Sequence, residues 1–122
     1  MRKACFIFIM ILGFSCKPQS NSKTTVIDLE AFKAAVIGKD VQLIDVRTSQ
    51  EYNAGHIDNA LHMDISNLEQ FAQKSEKLNK NKPVYIYCQA GVRSHRASKQ
   101  LEKMGFISIF DFKGGYSAWK KQ

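Results

Sequence analysis

The chain has 122 residues, 44% of them hydrophobic and 24% charged, with a formal net charge of +7. That length suits one domain, and the composition is that of an ordered globule able to bury a core, which sets intrinsic disorder aside. The lysines are scattered, with no dense basic run interleaved with aromatics. The positive balance therefore points away from nucleic acid and toward an anionic membrane surface or small anionic substrates.

The opening stretch "MRKACFIFIMILGFS" stands apart from the rest. Arg2 and Lys3 form a basic start, and the apolar run Ala4 to Phe14 falls short of the about 20 residues that a spanning helix needs. This is the layout of a secretory signal over residues 1–15. Ser15 is small and Cys16 follows it, which resembles a bacterial lipoprotein signal, although Gly13 stands where leucine is usual and Leu12 lies one place earlier. The resemblance implies lipidation of Cys16 and a place in the bacterial periplasm or cell envelope, tethered to a membrane. Ordinary cleavage or an uncleaved anchor are the alternatives. Residues 16–24 are polar and aperiodic and read as a flexible tether, which leaves 25–122 as the domain. Of the three cysteines, Cys5 lies in the signal and Cys16 at the lipid site, so Cys88 is the single thiol of the domain. A leftover thiol in an exported domain is a candidate reactive group.

The domain alternates strand-like and helix-like segments. "TTVID" (24–28) reads as a short strand, and "LEAFKAAVI" (29–37) sets Phe32, Ala35 and Val36 on one helical face before Gly38. "VQLIDV" (41–46) lacks polar alternation, as expected of a strand covered on both faces. Thr48 and Glu51 have capping-box spacing for a short helix closed by Gly55. "ALHMD" (60–64) reads as a small strand. Ser66 and Glu69 repeat the capping-box spacing, and Leu68, Phe71, Ala72 and Leu78 follow on one stripe. "PVYIYC" (83–88) is a strand with Pro83 at its tolerated first position and Tyr85 and Tyr87 alternating with Val84 and Ile86. A helix is expected over 94–105, with Ala97, Leu101 and Met104 inward and Gly105 as its stop, then a strand over 106–112 and a glycine turn into a short helix over 114–119. This order predicts an α/β fold, a mainly parallel sheet with helices on both faces.

In such sheets ligands sit beyond the carboxyl ends of strands, where Cys88 falls. After it, Ala90 and Gly91 allow a tight turn in which amide N–H groups converge, and a helix start adds its positive end. That environment favours a thiolate, and Arg93 adds a fixed cation. The competing reading of Cys88 is a small buried hydrophobe. The candidate site is Cys88 as nucleophile with a substrate-binding loop of Gln89, Ala90, Gly91, Val92, Arg93 and Ser94. No metal-ligand cluster accompanies it.

Three separated blocks, "LIDVRTSQEYNAGHIDNALHMD", "CQAGVRS" and "GFISIFDFKGGYSAW", together resemble the rhodanese family, with the likeness running from about Val26 to Lys120. The resemblance implies a three-layer rhodanese-like fold and a sulfurtransferase. Sulfane sulfur would pass from a small anionic donor such as thiosulfate to cyanide or a thiol through a persulfide on Cys88, without metal or organic cofactor. A protein sulfur or thiol-redox partner is a further implied acceptor. Related phosphatases and arsenate reductases use C-x₅-R, which would need arginine at Ser94; arginine here is Arg93, giving C-x₄-R, a loop that suits a sulfur atom better than a tetrahedral oxyanion. A non-catalytic binding or sulfur-sensing module is the alternative from another class.

The resemblance gives Asp45 and Arg47 a framework role, with Arg47 paired to Glu51. His56 reads as a turn histidine more readily than as a proton shuttle, His62 has no evident partner, and His95 and Arg96 fall on an exposed first helical turn. Phe112, Tyr116 and Trp119 read as a cap on the core. Two positions depart from the family pattern. Asn59 replaces a common glycine, which a left-handed turn tolerates. Gln89 replaces an arginine found in some members, which weakens the local positive field.

Overall fold

The computed structural model describes residues 22–122 and, ahead of them, Gly13. The expected signal, the Cys16 lipid site and most of the tether lie outside the described residues. Ten elements follow in the anticipated order: β1 (Thr24–Ile27), α1 (Leu29–Val36), β2 (Gln42–Asp45), α2 (Ser49–Ala54), β3 (Leu61–His62), α3 (Leu68–Ser75), β4 (Val84–Tyr87), α4 (Val92–Lys103), β5 (Ile109–Phe112) and α5 (Gly115–Lys120). The strands form one sheet in the order β1-β5-β4-β2-β3, and every pair is parallel. Alternation along the strands splits the core in two. Ile44, Val46, Ile86 and Ile109 pack with Phe71 of α3 and with Ala97 and Leu101 of α4. Leu43, Tyr87 and Phe112 pack with Phe32 and Val36 of α1, joined by Tyr52 of α2 and by Tyr116 and Trp119 of α5. Helices therefore cover both faces. Phe32 is stacked on Phe112, with centroids 4.3 Å apart, and meets Trp119 edge-on.

Among the boundaries that differ from the sequence-based expectation, three have a clear local reason. The helix after Cys88 starts at Val92 and not Ser94, because Gly91 adopts φ 92° and turns the chain at once into the helix. The last strand starts at Ile109 and not Phe106. Phe106 is spent on ending α4: its N–H reaches the carbonyl of Leu101 at 3.1 Å while Gly105 turns left-handed. The cap of α3 is Asn67 and not Ser66, since the Asp64 carboxylate accepts both the N–H and the hydroxyl of Ser66, at 2.8 and 2.7 Å. Asn67 Oδ1 accepts from Gln70 N–H instead. Leu68, expected on the apolar stripe, is exposed, and Leu78 lies beyond the helix end yet still packs on the core. The capping box of Thr48 and Glu51 forms as expected, and Asn59 adopts φ 67°. Among the described residues, no helix is long and apolar enough to cross a membrane.

Candidate active site

The parallel register brings the carboxyl ends of β2, β4 and β5 side by side. Residues distant in sequence meet there: Asp45 and Arg47 at the end of β2, Cys88 after β4, and the Gly114–Gly115 turn after β5. The loop joining β4 to α4 is only Cys88–Gly91. Its shape depends on two glycines. At Gly91 a Cβ would lie 2.6 Å from the carbonyl oxygen of Lys113 on a left-handed backbone. At Gly115, φ 58°, it would lie 2.5 Å from the carbonyl oxygen of Cys88. The close approach lets the first amides of α5 hold the loop: Tyr116 N–H donates to the Cys88 carbonyl at 2.8 Å and Ser117 N–H to that of Gln89 at 3.1 Å.

Cys88 is a free thiol, 1% exposed. Its Sγ accepts the Gly91 N–H at 3.1 Å and lies 3.5 Å from Ser94 Oγ. Burial works to raise its pKa, but the Ser94 hydroxyl and the backbone N–H groups of Ser94, Ala90 and Gly91 outweigh it, and the thiol is held below its ordinary value. The arrangement is a cradle of dipoles around one sulfur atom, able to solvate a thiolate where water has little access.

Both arginines of the region are already engaged. Arg93 makes a two-pronged pair with Glu51, Nη1–Oε1 at 2.6 Å and Nη2–Oε2 at 2.8 Å. That pairing, joined by the Thr48 hydroxyl and N–H, outweighs the burial that works to raise the Glu51 pKa and lowers it to about 2. Arg47 is 2% exposed and does not pair with Glu51 as expected. Its near neighbour Asp45, fully buried two residues earlier, takes Nε at 3.0 Å and Nη2 at 2.7 Å. The remaining Arg47 donors reach the Gly55 carbonyl at 2.7 Å and Gln89 Oε1 at 3.1 Å. Gln89 in turn donates to Ser117 Oγ at 2.9 Å. The Gln89 side chain thus ties the loop to β2 and α5.

The other sequence-derived candidates divide by position. Ala90 is exposed, and Val92 is 80% exposed on the loop rim. His56 Nδ1 bonds the Tyr52 carbonyl at 2.8 Å and its ring stacks on Tyr52, in a turn remote from the sulfur's own contacts. His62, without a partner in the sequence, has one in the fold: Nε2 meets the Arg47 carbonyl at 2.6 Å. His95 and Arg96 are exposed on the first turns of α4. Tyr116 lies under the Arg47 guanidinium, 4.3 Å from ring centroid to Cζ. Two residues near the loop escaped notice: Ser117, which fixes Gln89, and Asp111, a carboxylate 2% exposed on β5. The signal for Asp111 was present as one charge inside the apolar run "FISIFDF". Among the described residues, no group of three or more His, Cys, Asp or Glu is placed to hold a metal ion.

Comparison with known proteins places the fold that carries this loop. The Rhodanese-like domain family model matches residues 28–122. The uncharacterized protein YqhL of Bacillus subtilis is 37% identical over 116 residues, covering 95% of this chain and 86% of that protein. The thiosulfate sulfurtransferase GlpE of Coxiella burnetii is 37% identical over 92 residues, covering 75% of this chain and 82% of that protein. A rhodanese-like domain protein from Staphylococcus aureus superposes with a TM-score of 0.68 at 33% identity, over 78% of this chain and 90% of that one. The domain built around Cys88 belongs to the rhodanese-like family.

Proposed function

We propose that the protein is a sulfurtransferase that carries sulfane sulfur as a persulfide on Cys88. The observation that carries this reading is the contact set at Sγ: one backbone N–H at 3.1 Å and one hydroxyl at 3.5 Å, inside a short loop. The Cys88 thiolate attacks the outer sulfur of a donor such as thiosulfate. A new S–S bond forms, the donor's S–S bond breaks, and sulfite leaves with its electron pair. The enzyme then holds Cys88–S–S⁻. Cyanide or a thiolate attacks the outer sulfur, thiocyanate or a new persulfide departs, and the Cys88 thiolate returns. This is covalent catalysis in which the same dipoles serve both anions, and no cofactor is required. The similarity to a thiosulfate sulfurtransferase supports the reaction class. Arg93 and Gln89 are both engaged within the protein, so the cradle offers dipoles more than free cationic charge to a dianion. A persulfide donor, or a protein sulfur or thiol-redox partner, is therefore part of the reading alongside thiosulfate.

Intact mass tests it. The protein is weighed before and after thiosulfate or a glutathione persulfide, beside Cys88→Ser. Gain of one sulfur that requires Cys88 and is discharged by cyanide is expected. No gain from any donor would sink the catalytic reading and favour a sulfur-sensing or docking module.

The protein is further exported and held at a membrane of the bacterial envelope by lipid on Cys16. Support comes from the basic Arg2–Lys3 start, the apolar run and the Ser15–Cys16 junction. The mass of the mature N-terminus checks this; a mature chain beginning elsewhere than Cys16 removes the lipid anchor from the proposal.

A further inference from the structure

Beneath the active-site loop lies a carboxylate that the sulfur-transfer scheme does not use. Among the described residues, Asp111 Oδ1 is the buried side-chain oxygen left without a hydrogen-bond partner. A buried acceptor without a partner is costly, so it calls for an explanation. Its direction is set by strand alternation. Phe112 points to the face covered by α1, while Ile109, and with it Asp111, points to the face of Ala97 and Leu101 on α4. Asp111 pairs in register with Ile86, and Cys88 follows two residues later on the same face, at the end of the neighbouring strand β4. Ser94 of α4, fully buried, closes the space. Its Oγ lies 3.5 Å from Cys88 Sγ and 3.3 Å from the Gly91 carbonyl.

We propose that Asp111 is a positioning residue for the Cys88 sulfur, acting through Ser94. The Ser94 hydroxyl has one proton to donate, which in the structure reaches the Gly91 carbonyl at 3.3 Å, and the protonation of Asp111 shifts where it is aimed. A neutral Asp111 donates to Ser94 Oγ, so the hydroxyl proton is free to point at the Cys88 thiolate or at the inner sulfur of the persulfide. An ionised Asp111 takes that proton for itself, and the sulfur loses a donor. Burial raises the Asp111 pKa, with the Ser94 hydroxyl and the charge of His95 pulling back, so the neutral form persists to higher pH than for an ordinary aspartate. The titratable neighbours are Cys88 at the end of β4 and His95 on α4; β1 brings Val26 alongside, which carries no charge. The proposal rests on Cys88 as the nucleophile and adds a residue that tunes it.

The test is the rate of Cys88 alkylation by iodoacetamide as a function of pH, read on the full chain by the mass of the Cys88 peptide. Wild type, Asp111→Asn, Ser94→Ala and the double variant are compared. Wild type should show a lower inflection from Asp111 before the thiol's own titration. Asp111→Asn should remove it and speed alkylation about tenfold on its alkaline side, the effect of roughly one pKa unit on the thiolate fraction. Ser94→Ala should slow alkylation, and in that background Asp111→Asn should change the rate by less than about twofold, because the two residues act as one unit. A superimposable Asp111→Asn profile would overturn the proposal. So would an equal gain with and without Ser94, since Asp111 would then act as a bare charge. Should Asp111→Asn fail to fold, the Asp111 carboxyl is titrated by carbon NMR in wild type and Ser94→Ala: an upward shift on losing Ser94 is expected, and no shift overturns the coupling. Alkylation needs no sulfur donor, so failure here leaves the persulfide reading standing, and failure of sulfur loading leaves this test interpretable.

Discussion

At the scale of single residues, the site is held by side chains that each serve two elements. Glu51 closes the capping box of α2 and grips Arg93 at the start of α4. Its folded-state pKa lies near 2, below the ordinary value of 4.5, so it binds fewer protons folded than unfolded. The stability it contributes is therefore present above pH 4.5 and lost as pH falls toward 2. With both partners about a third exposed, solvent screening limits that contribution to about 1 kcal/mol. Denaturant unfolding should accordingly show wild type losing about 1 kcal/mol more than Glu51→Gln between neutral pH and pH 2. Arg47 behaves differently, because it is buried. Arg47→Ala leaves the buried Asp45 carboxylate with only the backbone N–H at that position and Gln89 Oε1 without its donor, and should cost about 3–5 kcal/mol in chemical denaturation. The resemblance pointed to Arg47 as the partner of Glu51, and the structure gives that place to Arg93: the Thr48–Glu51 cap is read from the i,i+3 pattern, whereas Arg93 reaches Glu51 across 42 residues, which no local rule reveals.

At the scale of elements, the decisive contact joins the last short helix to the Cys88 loop. The amides of Tyr116 and Ser117 hold the carbonyls of Cys88 and Gln89, and only a glycine at 115 permits the approach. Gly115→Ala should leave the far-ultraviolet spectrum nearly unchanged while lowering sulfur loading of Cys88 at least tenfold, since an offset of about 1 Å at a reacting centre can cost on the order of a hundredfold. Intact-mass kinetics reads this directly. The elements themselves were legible because apolar runs, capping pairs and glycine stops are local signals. Their ends were less so. Gly91 started a helix two residues early, Phe106 was drawn into a helix end, and Asp64 took Ser66 away from a cap, each through a contact that the hydrophobic pattern does not encode.

At the scale of the whole molecule, Phe32 joins the helix layer to the sheet. It is fully buried, stacks on Phe112, and meets Tyr87 and Trp119 edge-on. Phe32→Ala should cost about 3–5 kcal/mol and lower the thermal midpoint by well over 10 °C, measured by circular dichroism. The sheet's parallel character was readable from the alternation of strands and helices, and the position of Cys88 at a strand's carboxyl end followed from it. The strand order was not readable, because β5 inserts between β1 and β4 only through pairings distant in sequence.

That strand order has a kinetic consequence. The pieces that surround Cys88 come from β2, β4 and β5, and in a parallel sheet each is delivered by a long crossover, never by a hairpin. Loop closure over such separations must precede the contacts that reward it, so folding is expected to be slow for the chain's size. The cradle around Cys88 has no local nucleus of its own. After dilution from denaturant, capacity to accept sulfur should reappear with the same time constant as burial of Trp119, with no early species that is active but incompletely folded.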